Sequence, residues 1–448
     1  MNSTVSCPSY TPSAFRLHDR QPFDSTTMTV FVAPPSAPAL PLELLETVLS
    51  FLYSDPKSLR AASLVSRAWV PICRVRLFRR IVLHWCDEGL RRSECLYSLL
   101  TRRPHIAKYI HELSIHEGLV SSKQSQVTSC FAQSTSLPQL LPLLPQLYLI
   151  EFRASTLTPW CELSGELVHA LLHAITASST LTDVVLGSWN FTSEPRALDA
   201  LLEAITQNAK SLVLTDIVAP FASTRRQAIR PYSGFDQRHA ALQSLTINEG
   251  EASSLSFCTE WFRERPTRIK SLQLSCSTMQ TSISEFLGVL GESLEHLELN
   301  IHTVRGNTSL DLSHNTRLRN LQLQVLEHPI MSLRSKISVS WLVNILSTLR
   351  SFECLELLHI GFEIDADRLR RLSQSDANHW SQLDQILCPK KYHRLSSVQI
   401  GIKFQCHDDL EYIKEKLGAF AASTIVSRLS SQGGAVGTFT PHFRNKAS

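Results

Sequence analysis

The chain has 448 residues, of which 43% are hydrophobic and 19% charged, with a formal net charge of +4. A globular chain of this length can bury a large core in two or three domains, and so small a charge excess points by itself to neither nucleic acid nor membrane. Eleven cysteines at irregular spacing, with no C-x-x-C, exclude a disulfide framework and indicate free thiols.

Residues 1–37 are rich in Ser, Thr and Pro and lack any helical or strand period, which predicts a disordered arm. The stretch from Leu40 to Phe78 then specifies three short helices. In the first, Pro41 suits an initial helical position, and Leu44, Leu45, Val48, Leu49 and Leu52 recur at helical spacing, with an end expected near Tyr53. Asp55-Pro56 is an N-cap and first-turn pair that opens the second. The third starts near Ser66, carries Trp69, Ile72, Val75, Leu77 and Phe78, and tolerates Pro71 only in its first turn. Some 40 residues of this kind are too few to stabilise a domain alone, so a partner is implied.

The order Leu40-Pro41-x-Glu43-Leu44-Leu45, Leu49, Leu52, Asp55, Leu59, Leu64-Val65-Ser66, Trp69 and Leu77-Phe78 resembles an F-box, with Ala62 standing where many F-boxes carry cysteine or a larger apolar residue. The resemblance covers the whole motif and places an F-box over 38–84. It implies an adaptor-binding surface formed by Leu40, Pro41, Glu43, Leu44, Leu45, Val48, Leu49, Leu52, Leu64, Val65 and Trp69.

Arg80 to His84 alternates as a short strand, and a helix bearing Leu96, Leu99 and Leu100 stops at Pro104. From there a pattern of apolar-x-x-apolar-x-apolar returns at Ile110, Leu147, Leu181, Ala209, Leu242, Ile269, Leu294, Leu318, Leu355 and Leu395. The starts at 242, 269, 294 and 318 fall within the period of about 20 to 29 residues expected of leucine-rich repeats. Amphipathic helices sit between, such as Ile283, Phe286, Leu287, Leu290 and Trp341, Leu342, Ile345, Leu346, Leu349. Ala170 to Thr176 recurs almost unchanged as Ala200 to Thr206, so two helix and strand units are near copies. Units that cannot bury their own apolar faces must stack, and repeated right-handed crossovers give a parallel sheet.

The expected fold is therefore an α/β solenoid: a three-helix F-box followed by an irregular leucine-rich-repeat horseshoe over 85–430, similar to fungal F-box-like leucine-rich-repeat proteins. Insertions at 117–136, 216–241 and 362–394 account for the irregular spacing. They include Arg225, Arg226 and Arg230, and a helical spacing of Trp380, Leu383, Asp384 and Leu387. Leu410, Ile413, Leu417 and Phe420 predict a capping helix, and residues 431–448 a flexible tail.

Nothing in the sequence argues for chemistry. His111 and His116 are five apart on an expected strand, whereas two ligands on one helical face need a spacing of four. Cys406-His407 and Cys388 with His393 lack a second pair at zinc spacing. There is no Walker lysine, no G-x-S-x-G and no G-x-G-x-x-G. The strand positions expected to point away from the core, Thr246, Gln273, Glu298, Gln322, His359 and Gln399, form the candidate target-binding face. They include no arginine or lysine, so a phosphate-reading surface is not expected.

The resemblance implies a substrate-recognition subunit of an SCF (cullin-RING) ubiquitin ligase. It would dock the ligase adaptor, and through it the cullin, by the F-box and an unknown target protein by the repeats. Such a chain would have no catalytic residue, cofactor, metal, nucleic-acid or membrane partner of its own. With no leader and no span of about 18 apolar residues, it is expected in the cytoplasm, the nucleus or both. The alternative is a leucine-rich-repeat scaffold without ligase association.

Overall fold

The computed structural model describes residues 41–85, 87–117, 134–219, 241–248, 252–265, 267–277, 281–302, 310–326, 339–351, 353–365, 397–406 and 436–445, with five single positions between 382 and 395. Leu40, the arginines of 225–230, most of the three insertions, the expected capping helix and the expected arm of 1–37 lie outside them.

Three helices come first: α1 (Leu42–Ser50), α2 (Pro56–Val65) and α3 (Trp69–Arg79). Their boundaries follow from local chemistry. The Asp55 side chain accepts from Lys57 N at 2.9 Å and from Ser58 Oγ at 2.5 Å, capping α2 with Pro56 in its first turn. Ser66 O accepts from Trp69 N at 3.1 Å and its hydroxyl from Ala68 N at 3.3 Å, turning the chain into α3, where Pro71 is the third residue. These helices share a small core of Leu45, Leu49, Leu59, Ala62, Ile72 and Cys73, separate from the one that follows.

Helix α3 runs without a connecting loop into β1 (Arg80–Trp85). The strands after it are β2 (Glu112–Glu117), β3 (Leu149–Pro159), β4 (Asp183–Asn190), β5 (Ser211–Thr215) and β6 (Ser244–Asn248). Then come β7 (Ser271–Cys276), β8 (His296–Ile301), β9 (Asn320–Leu326), β10 (Leu357–Asp365), β11 (Ser397–Cys406) and β12 (Val436–Asn445). They form one twelve-stranded sheet in sequence order, every neighbouring pair parallel. Parallel neighbours need a crossover, and helices supply most of them: α4 (Asp87–Arg102), the short α5 (Ser136–Leu140), α6 (Gly165–Ala177), α7 (Pro195–Asn208), α8 (Ala252–Glu264), α9 (Thr281–Leu290) and α10 (Val339–Thr348).

The recurring apolar triplet is the buried side of this sheet. Leu294, Leu297 and Leu299 are 0%, 2% and 0% exposed, and the other triplets from that of Ile110 to that of Leu355 are likewise buried, as are Leu395 and Val398. In the triplets from that of Ile110 to that of Leu355 the last two residues point inward from the strand, while the first turns the chain into it. The near-identical stretches fall on α6 and α7, whose Leu171, Ile175, Leu201 and Ile205 bury the same face against the same core. At the end of α9, Gly291 takes φ +53°, a conformation side chains resist. The fully buried Asn315 closes that turn by donating from Nδ2 to Leu287 O (3.0 Å) and Gly291 O (2.9 Å).

One expectation is corrected. The stretch 431–448, expected as a flexible tail, carries β12, which pairs in parallel with β11 from Ser397 and Val436 to Cys406 and Asn445. β12 is the last strand of the sheet among the described residues, and a strand with one unpaired side is where a proline such as Pro441 is tolerated.

Candidate interaction surfaces

Helix α1 carries two apolar stripes one residue out of phase. Leu45 (5% exposed) and Leu49 (0%) face the small core, against which half-buried Leu52, Tyr53, Trp69 and Leu77 also pack. Leu44, Val48 and Phe51, spaced i, i+4 and i+7 and therefore on one face, are 52%, 53% and 81% exposed. At the end of α2, Leu64 is 88% and Val65 69% exposed. Six of the seven large apolar side chains left exposed among the described residues lie between Leu44 and Val75, a concentration that marks interaction surfaces rather than chance exposure.

The residues expected to bind the adaptor thus divide. Leu44, Val48, Leu64 and Val65 lie open, as do Pro41 and Glu43, and Leu52 and Trp69 are partly open. Leu45 and Leu49 are not available at the surface, because their spacing suits the small core better than any other position on α1. Phe51 was absent from the expected set, although its spacing from Leu44 and Val48 is the signal that finds it.

A second surface is the face of the sheet opposite the core. The six residues expected there occupy one register row: Thr246 pairs with Gln273, Gln273 with Glu298, Glu298 with Gln322, Gln322 with His359, and His359 with Gln399. All six are half-buried. The same row continues through Val213, Val185, Glu151 and Ser114 to Val82 on β1.

Its first three strands correct the expectation of a face without arginine. Arg80 and Arg153 project from β1 and β3, yet both are engaged. Arg153 Nε lies 2.6 Å from Glu151 Oε1, and Arg80 lies 3.9 Å from both Glu112 and Glu151. His116 Nε2 is 3.4 Å from Glu151 Oε2, and Ser114 Oγ donates to that oxygen at 2.8 Å. Burial alone would raise the Glu151 carboxyl, but the Ser114 hydrogen bond and the charges of Arg153 and His116 hold it below the usual range. Gly187 permits this arrangement, since a Cβ there would stand 2.8 Å from Arg153 Cγ. The network reaches the helices through Arg79, whose guanidinium donates to Tyr148 Oη at 3.1 Å and lies 3.4 Å from Glu112, while Tyr148 donates to Glu112.

From β6 to β9 the character changes. The outward positions of these strands from Ser244 to Gln324 are hydroxyls, amides and one imidazole, and Glu298 is the single charged side chain among them. Its Oε1 accepts from Gln273 Nε2 at 3.1 Å and Asn300 Nδ2 at 3.0 Å.

No group of three or more His, Cys, Asp or Glu among the described residues is placed to hold a metal. His111, one end of the spaced histidine pair, binds Tyr109 O through Nδ1 at 2.8 Å, and His116 serves Glu151. No helix among the described residues is long and apolar enough to cross a membrane.

Comparison with known proteins agrees with the helical part. Residues 37–84 match the F-box-like family. No curated protein sequence matches the chain. Among solved structures, a chain of the yeast structure titled "Crystal structure of Rad7 and Elc1 complex in yeast" is similar over 80% of this chain and 88% of its own, at 12% identity and a TM-score of 0.26. That likeness is too distant to bear on function.

Proposed function

We propose that this chain is a substrate-recognition subunit of an SCF cullin-RING ubiquitin ligase, of the fungal F-box and leucine-rich-repeat kind, its sheet and helices forming a repeat horseshoe. The observation that carries the reading is the open stripe of Leu44, Val48 and Phe51, with Leu64 and Val65, on the segment that matches the F-box-like family. Such side chains lower the free energy of the chain only when a partner covers them. The ligase adaptor is that partner, and the cullin follows through it.

The outward row from Thr246 to Gln399 then holds a target protein. The chain itself makes and breaks no bond. It acts by raising the effective concentration of the target near the ubiquitin-carrying enzyme, in the cytoplasm, the nucleus or both.

The test is co-purification of the full chain with the adaptor, using Phe51→Asp with Leu64→Asp. Burying one such side chain is worth about 1.5–3 kcal/mol, so losing two weakens binding by at least about a hundredfold. The fold should persist, because both residues are more than four-fifths exposed. Undiminished capture by the double variant would refute the docking surface. Absence of capture by the parent chain would refute the ligase reading itself.

A further inference from the structure

We infer that Glu298 reads a basic side chain, an arginine or lysine, of an extended target segment laid across the sheet face. The inference rests on the reading of that face as the target-binding surface.

Charge is handled differently at the two ends of the face. On β1–β3 the opposite charges answer one another: Arg153 and His116 meet Glu151, and Arg79 and Arg80 meet Glu112. On β6–β9 Glu298 has neutral donors only. Gln273 and Asn300 fix one carboxylate oxygen at 3.1 and 3.0 Å, and no cation among the described residues lies within ion-pair distance. Amide donors orient a carboxylate without cancelling its charge, so this side chain is positioned by neutral partners and has no countercharge beside it among the described residues.

The surplus at this point is of acceptors. Glu298 keeps the lone pairs of Oε2, and Asn300 Oδ1 is buried without a donor once Nδ2 has been given to Glu298. An anionic ligand would add further acceptors to acceptors and negative charge to negative charge. A divalent metal ion would find one carboxylate only, since no group of three or more His, Cys, Asp or Glu among the described residues is placed to hold one. The complementary group is a cation with N–H donors to give to the free carboxylate oxygen, Oε2, whether a guanidinium or an ammonium. Thr246 and Gln322, in the same row on either side, offer neutral hydrogen bonds to the residues flanking that cation.

The experiment selects a random peptide display library, each peptide about sixteen residues long, against the full chain and against Glu298→Gln, which keeps the shape and hydrogen-bonding capacity but removes the charge. The expected result is a pool on the parent chain that carries Arg or Lys at a recurrent position and a pool on Glu298→Gln that does not. Replacing that arginine by citrulline in a labelled peptide should weaken its binding roughly tenfold, a gap that narrows at high salt and is absent with Glu298→Gln. Equal basic enrichment in the two pools, or equal affinity for the arginine and citrulline peptides, would overturn the inference while leaving the face a binding surface. Failure to enrich any peptide on either chain would overturn the target-binding reading, and the inference with it. A thermal melt of Glu298→Gln, expected to match that of the parent, shows that the sheet of the variant is folded.

Discussion

Asn315→Ala tests how far one buried polar side chain holds the sheet together. Asn315 is fully buried, and its amide ties the end of α9 to the segment entering β9 through two carbonyls, Leu287 O and Gly291 O. A neutral hydrogen bond contributes about 1 kcal/mol net, and a buried carbonyl left without a donor costs about 1–3 kcal/mol. The alanine variant should therefore lose about 2 kcal/mol, rising to about 4 where water cannot reach both carbonyls. Asn315→Asp should be worse, because it keeps the volume but turns a charged acceptor toward two acceptors. The assay is urea unfolding followed by tryptophan fluorescence, read as a shift in midpoint, with amide exchange over His296–Ile301 as a local reporter. An alanine variant that unfolds with the parent, or an aspartate variant no weaker than the alanine one, would refute the assigned role.

Leu297→Asp should cost at least about 4 kcal/mol, since it places an unpaired carboxylate at a position 2% exposed between Leu272 and Leu321, while Glu298→Ala next to it should stay within about 1 kcal/mol; thermal melts of both check the register. Gly187→Ala should cost about 1 kcal/mol by driving Arg153 off Glu151, and most of that penalty should vanish in an Arg153→Ala background, as a double-mutant cycle would show. Burial pushes the Cys276 thiol up to about 11, so it stays protonated and unreactive at pH 8. Iodoacetamide followed by mass spectrometry should label the exposed Cys95 and Cys161 well before Cys276, which joins only as the pH approaches that value.

The strands were legible because a parallel sheet buried on one face writes a period of two, and the residue turning into each strand adds the third apolar position. Ile110, Leu113 and Ile115, for example, are all fully buried. Helix α1 was legible as a helix but not as a surface. Leu44, Val48 and Phe51 are as apolar as Leu45, Leu49 and Leu52, and only packing decides which stripe turns inward. The ionic end of the sheet was hidden for another reason. Arg80, Glu112 and Glu151 are separated by tens of residues and meet only through strand register, which a local pattern does not encode; Arg153 joins them from two residues beyond Glu151 on the same strand. Strand β12 has Gly437, Pro441 and mixed polar residues in place of a leucine triplet, so nothing local announced it.

The ordering of the twelve strands also makes the sheet a ruler. Neighbouring strands lie about 4.8 Å apart, so Glu298 on β8 stands roughly 34 Å along the sheet from β1, the strand that α3 enters without a loop. Duplicating or deleting one helix and strand unit, such as the near-identical pair around α6 and α7, would move every later position by a single strand spacing while leaving each unit's own contacts unchanged. The distance between whatever covers the α1 stripe and whatever rests on Glu298 is therefore counted in strands, and a lineage can adjust it in steps of one unit.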